Sequence, residues 1–211
     1  MSYMRSEARQ RQILSCAKRV FAERGFHAAN VSHICAAAGI GRGTLYQYFT
    51  NKRSVLTAIL RETLQRVTAH MEATRLSTVP MPAPERVKRS VAQAFIANQL
   101  KELLSVVFDD GDTLRILLRE AVGLDVEIES LLAEIDAAIT GIVEHDLRRA
   151  REAGFIRELD PRAVAVLIVG GVEKLALAAL RGSAPVDLDA LVREATALHA
   201  VGTFSDRLQP D

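Results

Sequence analysis

The chain has 211 residues, of which 49% are hydrophobic and 25% charged, and its formal net charge is +1. Two cysteines are too few for a disulfide-stapled scaffold. The most apolar run, residues 163–180, is interrupted by Glu173 and Lys174, so it is too short to read as a membrane span.

Charge is distributed unevenly along the chain. Residues 1–66 contain eleven Lys and Arg against three Glu, a net charge of +8, whereas the remainder carries −7. A basic head on an acidic body is expected when one end of a protein meets phosphates and the other does not. The N-terminus is polar and lacks the apolar core of a signal peptide, so we expect a cytoplasmic protein in which Cys16 and Cys35 are buried free thiols.

The first predicted helix covers residues 5–24, with an apolar face that includes Ile13, Ala17 and Phe21. Gly25 ends it, and Phe26 is expected to fold back into a small core. We expect this helix to support the segment that follows.

Residues 30–49 have the pattern of a helix-turn-helix. Asn30 is placed to cap a helix that ends at Ala38, and Gly39 follows at the position where positive φ is favoured. Gly39-Ile40-Gly41 then forms a tight turn, and a second helix runs over residues 42–49. Two short helices joined by a three-residue turn define the motif.

The second helix is expected to bury Leu45 and Phe49 and to present polar groups elsewhere. Arg and Gln bind base edges, hydroxyl groups reach phosphates, and glycine allows close backbone approach to DNA. Asn51 caps a third helix whose first turn carries Lys52 and Arg53. The candidate DNA contacts are Arg42, Gly43, Thr44, Tyr46, Gln47, Tyr48 and Lys52, together with Asn30, Ser32 and His33 at the start of the preceding helix.

The rest of the chain also has helical periodicity, and no alternating strand pattern occurs. A long helix over 52–75 precedes a segment with Pro80, Pro82 and Pro84, which cannot continue it. Further helices are predicted over 85–108, 113–122, 125–153, 161–181 and from Asp187 to about residue 207. The prediction is an all-α protein of about nine helices, with a helix-turn-helix domain (1–51), a connector helix (52–75) and a larger helical domain (76–211).

The helix over 161–181 is apolar nearly all round, more than one partner helix can cover. Its glycines allow close helix approach, so a second subunit would complete the burial; an entirely intramolecular core helix is the alternative. The candidate interface residues are Val164, Leu167, Gly170, Gly171, Leu175, Leu191 and Leu198.

Gly25-Phe26, the 30–38 helix, the stretch from Gly39 to Phe49 and Asn51-Lys52 resemble the DNA-binding signature of TetR-family transcriptional regulators. The resemblance covers about the first quarter of the chain. It implies a homodimer formed by the last two long helices of each chain, which would read a palindromic operator. It also implies that residues 76–211 are an effector-binding and dimerisation domain with a pocket in the helical body, and most simply a repressor that a small molecule releases.

Candidate pocket residues are Phe95, Phe108, Arg119, Glu120 and His145. His145 could donate a hydrogen bond to an effector or be a satisfied core histidine, and the second is the more common role of such a histidine. The five histidines lack the spacing of a helical zinc site, and there is no phosphate-binding glycine loop or serine elbow. We therefore expect no enzyme activity, no cofactor and no metal. The alternative is a helical small-molecule carrier or enzyme with a vestigial DNA-binding head.

Overall fold

The computed structural model describes residues 2–76, 82–107, 111–181, 187–204 and 207. These residues form α-helices without any β-strand, and the all-α prediction is confirmed. The α-helices are α1 (Ser2–Arg24), α2 (Val31–Ala38), α3 (Arg42–Tyr46), α4 (Lys52–Leu76), α5 (Arg89–Val107), α6 (Gly111–Arg115), α7 (Val126–Glu152), α8 (Pro161–Arg181) and α9 (Leu188–Thr203).

Two predicted helices are interrupted by tighter or wider turns. The region predicted as a helix over 85–108 begins with a 3₁₀ turn at Pro84–Arg86, and α5 starts only at Arg89. The predicted 113–122 helix is instead the short α6 followed by a π-helical turn at Ile116–Glu120, in which the Ala121 amide donates to the Ile116 carbonyl. Such wide turns are uncommon and are enriched at functional sites.

The chain divides by its internal contacts into two compact units, residues 1–65 with 108–134 and residues 66–107 with 135–211. This division differs from the predicted boundaries, because it groups α6 and the start of α7 with the N-terminal helices and divides α4 after Gln65. The predicted functional division at 51 and 75 stays a prediction.

The first unit has one hydrophobic core to which each of its N-terminal helices contributes. Phe21 of α1, Ile34 of α2, Leu45 of α3 and Ile59 of α4 are all completely buried. The π-helical turn contributes Ile116 to the same unit. Burying side chains of this size stabilises the fold by about 1.5–3 kcal/mol each relative to exposure, so the short helices α2 and α3 depend on this packing.

In the second unit α9 packs against α5 and α8. Its buried residues include Leu103, Val172 and Val192. After α7 the chain turns through Gly154, which has φ +79°, and Ile156 forms an isolated antiparallel bridge with Phe204.

Candidate nucleic-acid interface

The start of α2 is capped as predicted, and His33 completes the cap. The Asn30 side-chain oxygen accepts a hydrogen bond from the His33 amide at 3.0 Å, and the Asn30 amide donates to His33 Nδ1 at 3.3 Å. This is a reciprocal capping box in which a histidine takes the place of the usual Glu or Gln. Asn30 and His33 therefore fix the N-terminus of α2 as well as being candidate DNA contacts.

The turn between α2 and α3 also follows the prediction. Gly39 has φ 63° and ψ 36°, the left-handed conformation that glycine adopts without strain. The carbonyls at the end of α2 accept hydrogen bonds from α1: Gln12 Nε2 donates to the Ala38 carbonyl at 3.0 Å, and Cys16 Sγ donates to the Ala37 carbonyl at 3.4 Å. Helix α1 thus supports the motif directly.

Helix α3 is shorter than predicted, but its orientation agrees with the prediction. The regular helix ends at Tyr46, and the chain continues in a turn in which the Phe49 amide donates to the Leu45 carbonyl at 3.0 Å. Leu45 and Phe49 are buried. Of the predicted contact residues on this helix and turn, Arg42, Gly43, Tyr46 and Gln47 are exposed, whereas Thr44 and Tyr48 are half-buried.

Arg42 and Ser32 are linked across the motif. An Arg42 guanidinium nitrogen donates a hydrogen bond to the Ser32 hydroxyl oxygen, which joins the start of α3 to the first turn of α2. Both residues were predicted as DNA contacts. The hydrogen bond orients the guanidinium at the exposed end of α3 and leaves it further donors for an external acceptor.

Asn51 caps α4 as predicted: its side-chain oxygen accepts from the Ser54 amide at 2.8 Å. The sequence predicted Lys52 as an exposed DNA contact, but in the structure its ammonium group is engaged within the protein. Its ammonium group donates to the carbonyls of Phe26, His27 and Ala29 at 2.8, 2.9 and 2.9 Å, and lies 4.6 Å from the centre of the Phe26 ring. All three N–H donors of the ammonium group are thus directed at the α1–α2 turn.

Arg53, next to Lys52, belongs to an ion-pair cluster with the start of α7. Its guanidinium makes two hydrogen bonds to Asp125, at 2.7 and 2.8 Å, and one to Glu127 at 2.8 Å. Glu127 also pairs with Arg61 at 3.1 Å. The hydrogen bonds from Arg53, helped by that from the Ile128 amide, lower the pKa of Asp125 to about 2.

The predicted pocket residues do not form one group. Phe95 and Arg119 are exposed, and Phe108 lies outside the described residues. Glu120 occupies a different position from the one predicted, because its carboxylate accepts a hydrogen bond from the Phe26 amide at 3.0 Å. Sequence analysis missed this contact, which joins residues 94 positions apart.

His145 is half-buried, and its Nε2 is shielded from solvent without a hydrogen-bond partner among the described residues. The neighbouring Asp146 is also half-buried, and desolvation raises its pKa, while the charges of His145, Arg149 and His70 oppose that shift. These two adjacent residues of α7 thus combine a shielded, unpaired imidazole nitrogen with a desolvated carboxylate.

The predicted dimerisation helices expose apolar side chains. On α8 Leu167 is 68% exposed and Leu175 43%, and on α9 Leu198 is 74% exposed. Gly170 and Gly171 are exposed and Val164 is half-buried, whereas the side chain of Leu191 lies outside the described residues. Leu167, Gly171 and Leu175 are four residues apart, so they share one face of α8.

Within the described ranges, no three His, Cys, Asp or Glu side chains lie close enough to bind a metal ion. In the same part of the chain, no helix has the length and apolar character needed to cross a bilayer.

The capped α2, the glycine turn and the exposed α3 on the support of α1 define a helix-turn-helix DNA-binding protein. Residues 13–59 match the family model described as bacterial regulatory proteins of the tetR family. This N-terminal part of the chain is therefore a DNA-binding domain of the tetR-family type.

Similarity to known regulators extends beyond the DNA-binding motif. The chain is 26% identical over 182 residues to the fatty acid metabolism regulator protein of Bacillus subtilis, which covers 85% of this chain and 88% of the relative. It is similar to the solved structure of the fatty acid degradation regulator FadR from Bacillus halodurans, with a TM-score of 0.72, 26% identity and coverage of 92% and 95%. It is also similar to the SmeT–triclosan complex, SmeT being a repressor from Stenotrophomonas maltophilia, with a TM-score of 0.71, 25% identity and coverage of 94% and 93%.

Proposed function

We propose that this TetR-family regulator represses transcription by binding a palindromic operator as a homodimer, and that a small-molecule effector releases it. The observation that carries the proposal is the exposed side of α3, where Arg42, Tyr46 and Gln47 are presented above a buried Leu45. Guanidinium and amide groups on the exposed side of a recognition helix can read base edges in the major groove. A protein whose ligand is a chromosomal operator acts in the cytoplasm, and we propose that location.

Dimerisation is supported by the exposed apolar face of α8 and α9. Exposure of large apolar side chains such as Leu167 and Leu198 to water is unfavourable, and a partner subunit would cover them. Exposed apolar patches are typical of interaction sites. A two-fold dimer presents two recognition helices to half-sites one helical turn apart, which explains why a palindrome is expected.

The effector site is proposed to lie in the second unit near His145 and Asp146. A shielded imidazole nitrogen without a partner and a desolvated carboxylate both cost stability, and a ligand that bonds to them would recover part of that cost. The similar regulators are named for fatty acid metabolism or solved with triclosan. We therefore propose an apolar effector with one hydrogen-bonding polar group.

Operator binding is tested by fluorescence anisotropy with DNA from upstream of the protein's own gene, in the presence of nonspecific competitor. The wild-type protein is expected to bind discrete sites, with an affinity that falls steeply with salt because several phosphates are neutralised. Gln47→Ala should weaken specific binding, whereas Asn98→Ala, which removes an exposed amide from α5, should not. Competitor-sensitive binding alone would refute the proposal.

Dimerisation is tested by analytical ultracentrifugation of Leu167→Glu and Leu198→Glu. Each should shift the protein towards monomer and weaken operator binding, because a charge would be buried in an apolar interface. Val126→Glu places the same charge at a residue that is 87% exposed in the first unit, and it should remain dimeric. A monomeric wild-type protein would contradict the proposed assembly.

Effector binding is tested by thermal shift with triclosan and palmitic acid as probes. A true effector should raise the melting temperature and weaken operator binding, and operator DNA should weaken effector binding by the same factor. His145→Ala should reduce the shift. If neither probe changes stability or operator binding, the proposed effector chemistry is wrong.

A further inference from the structure

The turn between α1 and α2 is held by a residue that lies far away in the sequence. Glu120, the last residue of the π-helical turn, accepts a hydrogen bond from the Phe26 amide through Oε2 at 3.0 Å. Gly25 has φ +77°, and a Cβ placed there would lie 3.1 Å from the same carboxylate oxygen. The turn therefore requires glycine for its backbone conformation, and a side chain there would also press on the Glu120 carboxylate.

The same turn is bound by Lys52, whose ammonium group donates to the carbonyls of Phe26, His27 and Ala29. In residues 26–29 a backbone N–H group thus donates to a carboxylate, and three backbone carbonyl oxygens accept from an ammonium group. Charge-assisted hydrogen bonds of this kind are stronger than neutral ones. The turn is consequently fixed through both its N–H and its carbonyl groups.

This turn determines where α2 begins. Ala29 is buried, Asn30 caps α2 immediately afterwards, and the Ser32–Arg42 hydrogen bond joins α2 to the start of α3. A displacement of residues 26–29 would be carried through the short, well-capped α2 into the exposed residues of α3. No contact of Glu120 with DNA is needed for it to affect DNA binding.

We propose that Glu120 is a positioning residue for operator binding, acting through its hydrogen bond to the Phe26 amide. The segment that carries it continues to Asp125 and Glu127, which hold Arg53 at the first turn of α4. Residues 116–127 therefore hold the recognition unit at two points, one before α2 and one after α3. This inference rests on the proposed DNA-binding function. It makes residues 116–127 a second segment, besides the predicted connector helix α4, that positions the recognition helix.

Charge and position make opposite predictions for a variant at this residue. Removing a carboxylate from a DNA-binding unit should strengthen DNA binding by simple electrostatics. Losing the bond that positions the turn should weaken it. Glu120→Ala removes both the charge and the acceptor, whereas Glu120→Gln removes the charge but keeps an amide oxygen that can accept from the Phe26 amide.

The experiment compares operator affinity, nonspecific DNA affinity and amide hydrogen exchange for the full-length wild type and three variants, well below their melting temperatures. Glu120→Ala is expected to bind the operator about tenfold more weakly, about 1.4 kcal/mol. Its nonspecific DNA affinity should equal or exceed that of the wild type, because a carboxylate is lost, and the Phe26 amide should exchange faster. Glu120→Gln should match or exceed the wild type. Val122→Ala, at an uncharged residue that is 55% exposed just after the π-helical turn, is the control for a local change in this segment.

Operator binding by Glu120→Ala equal to or tighter than the wild type would overturn the inference while leaving the proposed function intact. A parallel loss of stability in Glu120→Ala and Glu120→Gln, without a difference in operator affinity of the folded protein, would make Glu120 only a structural residue and overturn it as well. Absence of operator binding by the wild type would overturn the proposed function itself. The three results are distinguishable in one set of titrations.

Discussion

Substitution of Gly43 by alanine separates the stability of α3 from its function. Gly43 lies within α3, is exposed, and has an ordinary helical backbone; a Cβ built on it meets no heavy atom within 4 Å. Glycine within a helix is about 0.5–1 kcal/mol less favourable than alanine. No contact within the protein requires residue 43 to lack a side chain, so Gly43→Ala should stabilise the protein in the absence of DNA.

The expected gain is about 0.5–1 kcal/mol, or a rise in melting temperature of about 1–4 °C for a protein of this size. Operator binding should change in the opposite direction. If the backbone of α3 approaches the duplex at Gly43, an added methyl group must displace the helix, and overpacking of this kind costs about 1–3 kcal/mol. Operator affinity should then fall by a factor of about 5 to 150.

The assay is paired: thermal unfolding of the free protein, and anisotropy with the operator at fixed salt. Gly41→Ser is the matched control, because Gly41 is the N-cap of α3, makes no side-chain cap and also has open space at Cβ. Serine there should stabilise by a few tenths of a kcal/mol without weakening operator binding. A more stable Gly43→Ala protein with unchanged operator affinity would refute the close approach, and a less stable one would refute the open geometry around Gly43.

Three further predictions concern charged residues. Lys52→Met should lower the free energy of unfolding by about 1.5–3 kcal/mol in urea titrations, because three carbonyls lose a charged donor; unchanged stability would show that these bonds contribute nothing. Asp125→Asn should keep the helix cap but lose the ion pair, so it should be less stable than wild type at pH 7. Because the native pKa is about 2 and the unfolded one about 3.9, that difference should shrink as pH falls from about 4 towards 2, and a pH-independent difference would contradict the ion pair. Asp146→Asn should be more stable than wild type at pH 7, with the gain shrinking as pH falls through the raised pKa of Asp146; a loss of stability at neutral pH would refute burial as the cause.

The helix-turn-helix could be predicted closely because its determinants are local. Asn30 as a cap, Gly39 at positive φ and the burial of Leu45 with Phe49 follow from residues within five positions of each other. Even the end of α3 was misplaced by only one turn, since the chain continues in hydrogen-bonded turns to Phe49. Local capping and periodicity rules suffice for such features.

The partners of Lys52 and Glu120 could not be predicted, because they depend on contacts between distant segments. Helical periodicity placed Lys52 on an accessible face but gave no information about the carbonyls of residues 26–29. The π-helical turn that ends at Glu120 has no sequence signature that distinguishes it from an α-helix of the same composition. The candidate pocket was the weakest prediction for the same reason, since a pocket is formed by several elements at once.

Asp125, at the start of α7, and Asp146, within it, are the same residue type in opposite environments. Asp125 caps the helix and binds Arg53, and its pKa is lowered; Asp146 is half-buried and desolvated beside His145, and its pKa is raised. The first carboxylate stabilises the folded state at neutral pH, whereas the second destabilises it there, by the linkage between pKa and folding. The cost of the desolvated Asp146 carboxylate and the shielded His145 Nε2 support the proposed effector site at these two residues, so Asp146→Asn should gain stability while losing effector response.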